Sequence, residues 1–199
     1  MESDKTVSRG KGSESNIICL KRIQKERREW KKDHPKGFYA QPYNYNGRSI
    51  PTLWVCGIPG PEDSIWASAT FIVALHFPPS YPSRPPRAMF YVPGETSTTL
   101  YHPNIYPSGT VCLSLLNDRL GWVPTVSVKA ILLAIQHLIG NPNLASPAQE
   151  ESLSDLKADP KLYLAKAERV VNANKTETFT ERLKVALESP DFLEKLGFK

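Results

Sequence analysis

"SVKAILLAIQHLI", Ser127 to Ile139, is where the chain changes its hydrophobic period. Val128, Ile131, Leu132, Ile135, Leu138 and Ile139 recur at three- and four-residue spacing, so they share one broad face of a helix. Upstream the pattern is different. The runs "GFYAQPY", "TLWVCGIP", "ATFIVALHF" and "RAMFYVP" are rich in aromatic and β-branched residues and read as four strands. In the second of them Trp54, Cys56 and Ile58 alternate with Leu53 and Val55. The links "YNYNGRS", "GPEDSIWAS" and "PPSYPSRPP" are turn-rich and too short for parallel crossovers, which predicts an antiparallel meander. A strongly striped helix after a meander packs on its sheet as the core, and strands followed by helices indicate an α+β fold.

Working outward, "GNPNLASPAQ" ends the helix, and residues 148–158 and 161–175 read as two amphipathic helices. Residues 177–199 carry Phe179, Leu183 and Leu187, then a break with Ser189 as cap and Pro190 at the first position of a last helix. Packing on the core, contact with a partner and no role are all open for this stretch. At the other end, residues 1–15 are small and polar and read as a disordered tail. Ser15 is placed to cap a helix from about Asn16 to Asp33, ended by Pro35 and Gly37. Ile17, Leu20, Ile23 and Trp30 are its expected buried face, with Arg22, Lys25, Arg28 and Lys32 left to water. The expected organisation is a tail over 1–15, a catalytic domain over 16–176 and a helical extension over 177–199.

Of the 199 residues, 40% are hydrophobic and 23% charged, ordinary values for a globular chain. The net charge of +5 sits in residues 1–37, which hold eleven Lys/Arg against six Asp/Glu. The basicity thus belongs to one helix. With no aromatic interleaving, a nucleic-acid partner is not expected. No apolar run is long enough to span a bilayer, so the expectation is a soluble intracellular protein with no membrane partner. Cys19, Cys56 and Cys112 are odd in number and widely spaced, which argues against a disulfide framework or a metal site.

Cys19 and Cys56 fall in regular helix and strand patterns and read as core. Cys112, between Val111 and Leu113, differs because Pro103, Pro107 and Gly109 argue against a regular strand before it. Such an irregular stretch, packed by apolar residues, can hold a thiol at a groove. Composition alone leaves buried filler and reagent both open.

The segment "HPNIYPSGTVCLSLL" closely resembles the active-site segment of ubiquitin-like-protein conjugating enzymes. His-Pro-Asn is followed, eight residues after the Asn, by the cysteine. "YPSRPP" before it, "GWVP" after it, the long apolar helix and "NPNLASPAQ" stand in the family's order. Together they cover about residues 16–176 and imply the ubiquitin-conjugating (UBC) fold. The nearest branch is the SUMO-conjugating one, on "KERREWKKDHPKGF", "YPSGTVCLS" and Ser83. "HFP" is closer to the ubiquitin branch. A ubiquitin-conjugating enzyme and a non-catalytic scaffold of the same fold are the competing readings. Retention of Cys112 and Asn104 disfavours the scaffold.

The resemblance implies that Cys112 accepts SUMO as a thioester from the activating enzyme and passes it to substrate lysines, usually with a ligase and without a cofactor. It implies Asn104 as the amide donor to the developing oxyanion, a role that pinning the loop would equally explain. His102 and Pro103 are implied as loop structure, and Tyr106, Ser108 and Ser146 as the lysine-acceptor groove. Ser146 stands where the SUMO branch has an aspartate, and "NDRLGW" matches that branch's acidic insert poorly. Arg27, Lys31 and His34 match the face that binds the activating enzyme and a second, non-covalent SUMO. Tyr81, Pro82, Ser83 and Pro124 match ligase-docking loops. The nucleus and cytoplasm are the implied locations.

Overall fold

The computed structural model of the protein describes residues 8–92, 100–189 and 191–197. Four strands, β1 (Tyr39–Tyr45), β2 (Arg48–Pro59), β3 (Thr70–His76) and β4 (Arg87–Tyr91), form one antiparallel sheet in sequence order. The first link is tighter than expected: β1 runs through Tyr45 and turns at Asn46-Gly47, both at positive φ (49° and 77°). Asn-Gly suits that turn because both central residues must be left-handed.

The inward face of the sheet presents Trp54, Cys56, Ile58, Phe71, Val73, Leu75, Ala88 and Phe90. On it lies α2 (Val128–Gly140), burying the six stripe residues read from the sequence. Ser127 caps α2 by accepting from the Ala130 N–H at 3.1 Å. Each fully buried side chain of this kind stabilises by about 1.5–3 kcal/mol. Helices α3 (Glu150–Ala158) and α4 (Pro160–Ala173) follow, the second capped by the Asp159 carboxylate with Pro160 in the first turn.

The N-terminal helix differs from expectation in two ways. α1 spans Ser8–Lys32, so residues 8–15, read as tail, are helical; residues 1–7 lie outside the described residues. Extending a docked helix adds one hydrogen bond per residue fixed, without a new nucleus. Ser15 therefore does not cap it, and its Oγ instead donates to the Pro79 carbonyl at 2.8 Å. The buried stripe is Cys19, Ile23, Glu26 and Trp30, while Ile17 is half exposed. Glu26 is buried because it is fully used: it accepts from Arg22 Nε at 2.7 Å and from the Val128 N–H at 2.9 Å. Arg22, expected in water, also donates to the carbonyls of Pro124 and Val126. A buried carboxylate needs such partners to offset desolvation.

The outer face of the sheet is covered too. α5 (Phe179–Glu188), α6 (Asp191–Lys195) and the residue after it pack Leu183, Ala186, Phe192 and Leu196 on Tyr43, Leu53, Val55, Ile72, Ala74, Met89 and Tyr91. The Phe192 ring lies 4.8 Å from Tyr43 and 4.7 Å from Tyr91. Gly57 leaves room for Phe179, whose ring would stand 2.4 Å from a Cβ at that position. Arg182 ties the layer to β3 through the Thr70 carbonyl at 2.8 Å. Within residues 177–199, Phe179, Leu183, Ala186, Phe192 and Leu196 pack on the core, the first of the three readings open for this stretch. Ser189 ends α5, and the expected first-turn Pro190 lies outside the described residues.

Candidate active site

Cys112 is held by backbone, not by a regular element. Beyond β4 the chain folds back on itself: Tyr106 N–H donates to Thr110 O at 2.9 Å and Gly109 N–H to Tyr106 O at 2.8 Å. Gly109 takes a φ of 82° to close that turn, a conformation that disfavours a Cβ. Phe90 N–H to Gly109 O (2.9 Å) and Val111 N–H to Ala88 O (3.0 Å) fasten the turn to β4. Val111 is buried, and the half-buried Cys112 follows it into a cleft of about 280 Å³. Tyr106, Leu113, Leu116, Asn117, Leu120, Asn143 and Ser146 are among its walls. Larger depressions, of about 640 and 580 Å³, lie beside α4 and between α1 and the start of α2, but neither contains a thiol. The chemistry and not the volume marks the site. The other two cysteines are buried, and burial pushes both thiols up in pKa.

The eight-residue spacing from Asn104 to Cys112 has a direct geometric meaning. The Asn104 carbonyl accepts the Cys112 N–H at 2.9 Å, so the two residues sit side by side across a tight loop. The Asn104 side chain is buried and turned toward the 141–149 segment. Its Nδ2 donates to Asn143 O (2.8 Å) and Ser146 O (3.1 Å), and its Oδ1 accepts the Asn143 N–H (2.7 Å). In this arrangement it pins the second wall of the cleft. His102 is wholly buried, and its Nδ1 accepts the Asn104 N–H at 3.1 Å. Burial takes its imidazole down to about 4, so it is neutral at physiological pH. The Pro103 carbonyl accepts from Ala148 N–H (2.7 Å) and Gln149 N–H (3.1 Å), and Gln149 Oε1 accepts the His102 N–H (3.2 Å). Gln149 was missed by sequence reasoning; only its place in "NPNLASPAQ" hinted at it.

Tyr106 is 44% exposed at the mouth. The Cys112 sulfur beside its hydroxyl raises the phenol pKa, first by a hydrogen bond and then by charge repulsion. Ser146 is exposed and lines the cleft. Ser108, expected in the groove, instead donates to Thr110 Oγ1 at 3.0 Å and shapes the turn away from the cleft lining.

The remaining expected positions lie elsewhere. Arg27, Lys31 and His34 are exposed on one flank of α1 and its end, and His34 stacks on Trp30 at 5.3 Å. Ser83 and Pro124 are exposed, and Pro82 is half-buried. Tyr81 is a correction: it is 1% exposed, packed on Phe77 and Trp122 under the Arg22 guanidinium, and presents nothing to a ligase. Its phenyl ring wins more from the core than a proline-rich loop does from displaying it. Among the described residues there is no cluster of side chains fit to hold a metal ion, and no helix long and apolar enough to cross a membrane.

Comparison with known proteins shows which proteins the chain is similar to. Residues 22–171 match the family model described as ubiquitin-conjugating enzyme. A "Sumo-conjugating enzyme ubc9" of Dictyostelium discoideum is 41% identical over 158 residues, covering 73% of this chain and 96% of that protein. A "SUMO-conjugating enzyme UBC9" of Caenorhabditis elegans is 43% identical over 136 residues, 68% of this chain and 78% of that protein. A "SUMO-conjugating enzyme SCE1" of Arabidopsis thaliana is 41% identical over 147 residues, 73% of this chain and 88% of that protein. The family match ends at residue 171, so α5 and α6 lie beyond it.

Proposed function

The chain belongs to the ubiquitin-conjugating enzyme family of thioester-forming transferases, and from that premise we propose that it carries SUMO on Cys112. The observation that carries the reading is the half-buried thiol in an open cleft, fixed to the Asn104 backbone. In the first step the Cys112 sulfur bonds to the modifier's terminal carbonyl carbon while the sulfur of the activating enzyme leaves. In the second an amine nitrogen takes that carbon and Cys112 departs as thiolate. Sulfur suits both steps, since the thiolate is at once a strong nucleophile and a good leaving group.

Tyr106 flanks the sulfur as a hydrogen-bond donor, and Ser146 borders the path of the incoming amine. Asn104 acts first as the pin of the 143–146 wall. To donate to a developing oxyanion it must release the Asn143 or the Ser146 carbonyl, and donors of that kind are worth about 2.7–4 kcal/mol of barrier. The exposed stripe of Arg27, Lys31 and His34 is the proposed seat of the activating enzyme and a second SUMO. Pro82, Ser83 and Pro124 are proposed to meet ligases. Lysine-bearing proteins in nucleus and cytoplasm are the proposed substrates.

Incubation with ATP, the SUMO-activating enzyme and SUMO tests the reading, with the ubiquitin pair run in parallel. The expected result is a reductant-sensitive adduct with SUMO, absent in Cys112→Ala, whose thermal midpoint stays within a few degrees of wild type. An adduct formed only with ubiquitin moves the assignment to the ubiquitin branch; none with either system sinks the catalytic reading.

A further inference from the structure

Among the described residues, the Cys112 cleft has no charged wall. The 101–112 segment contributes Tyr106 and the thiol itself; the 114–122 loop contributes Asn117 and Leu120; the 141–149 segment contributes Asn143 and Ser146 and contains no titratable residue. Asp118 and Arg119 are exposed beside Leu120 but do not line the cleft, and Asp118 faces Arg84 at 3.9 Å. Glu150, at the start of α3, is exposed and also outside the lining. Tyr106, its pKa raised by the sulfur, is a donor at neutral pH and not a base. An ammonium ion entering this cleft loses water and gains no anion in return. An amine must be neutral to react here, and the lining offers no anion to take its proton.

That requirement separates two classes of amine. An unperturbed lysine, with a pKa of about 10.4, is only about 0.04% neutral at pH 7. An α-amino group, with a pKa of about 7.7–8.0, is about 10–17% neutral. Lower basicity gives back part of the gain, since nucleophilicity falls with pKa at a slope of about 0.4–0.5 in thiol attack. The α-amino group lacks the long lysine stem, so it needs a thioester near the surface. Cys112 meets that need: it is half-buried, between Tyr106 at 44% and Leu120 at 75% exposure.

We propose that the cleft accepts the α-amino groups of flexible N-termini as well as lysines, and favours them at neutral pH. The inference rests on the thioester reading above. The nitrogen lone pair forms the C–N bond, the C–S bond breaks with its electrons on Cys112, and the proton lost by nitrogen goes to that thiolate or to water.

The test is single-turnover discharge of preformed Cys112 thioester, freed of ATP, to two peptides of matched sequence. One has a free Gly-Ser N-terminus and no lysine; the other is Nα-acetylated with a single lysine. At pH 7 the α-amine peptide is expected to discharge the thioester about 10- to 30-fold faster. Its rate levels off above about pH 8, while the lysine rate climbs tenfold per pH unit to pH 9. Ser146→Asp, which adds an anion to the wall, is expected to lower KM for the lysine peptide more than for its competitor. Equal or faster lysine discharge at pH 7 overturns the proposal. So does a lysine rate that levels off below pH 8, which would reveal a proton acceptor in the site. Absence of any reductant-sensitive adduct on Cys112 overturns the thioester reading, and this inference with it.

Discussion

The Cys112 loop and the C-terminal layer are held to the same sheet by opposite means. The loop is fixed by directional bonds: Asn104, His102 and Pro103 together engage Asn143, Ser146, Ala148, Gln149 and the Cys112 N–H. The layer is fixed chiefly by apolar burial, with Phe192 and Leu196 at its centre. The difference follows from what each region must leave open. A nucleophile has to meet its partner, so its frame cannot be built by burying it, and polar bonds beneath the thiol give rigidity without covering it. A sheet face with nothing to present is best sealed by bulk.

The sharpest way to break the comparison is to hollow out the layer. Phe192→Ala removes a fully buried ring between Tyr43 and Tyr91 and is expected to cost about 3–5 kcal/mol by denaturant unfolding. Per-enzyme thioester formation should change little under conditions where the variant is folded. A loss of thioester formation matching the loss of stability would show the two regions to be coupled.

Acid probes the polar frame next. His102 is neutral when folded, with its pKa taken to about 4, against about 6.5 unfolded. Below about pH 6.5 the unfolded chain therefore binds the extra proton. Stability is full above that pH, falls as pH drops toward 4, and levels beneath it, by up to about 3 kcal/mol in all. His102→Gln should flatten this part of the stability–pH curve. An unchanged slope would mean that His102 is not the group that titrates.

Asn104→Ala removes three side-chain hydrogen bonds to the 143–146 wall and is expected to destabilise by about 2–3 kcal/mol. Asn104→Asp tests geometry against donation: it keeps Oδ1 for the Asn143 N–H but loses both amide donors. Discharge that survives in Asn104→Asp would sink the oxyanion role and leave the pin.

The smallest effect is expected where the sheet and the C-terminal layer meet at one glycine of β2. Gly57→Ala drives a Cβ toward the Phe179 ring and should cost about 1–3 kcal/mol. In the Phe179→Ala background that cost should largely vanish, the signature of a direct pair in a double-mutant cycle. A cost that persists there would place the strain in the strand itself.

Much of this molecule was legible before any coordinates. The α2 stripe, four strands in meander order and the family segment around Cys112 are local patterns, and local patterns survive into the fold. The readings that failed were of another kind. Arg22 was assigned to water because arginines usually are, yet the carbonyls of Pro124 and Val126 wait a hundred residues on. Tyr81 stood among five prolines and looked exposed, but Phe77 and Trp122 close over it. The near-continuous apolar runs "LWVCGI" and "FIVAL" did carry a sign that both sheet faces are covered, since a sheet open on one side alternates more cleanly.

By itself the sequence determined the element order, the core helix and, through its resemblance, the chemical family, because periodicity, turn chemistry and motif spacing are written within a few residues. Only the tertiary structure decided that α5 and α6 cover the outer sheet face, that Asn104 spends its amide on the opposite wall, and that the thiol opens into a cleft with no charged residue in its lining. Those outcomes depend on which distant groups meet. Burial and hydrogen-bond satisfaction are properties of that meeting, not of either segment alone.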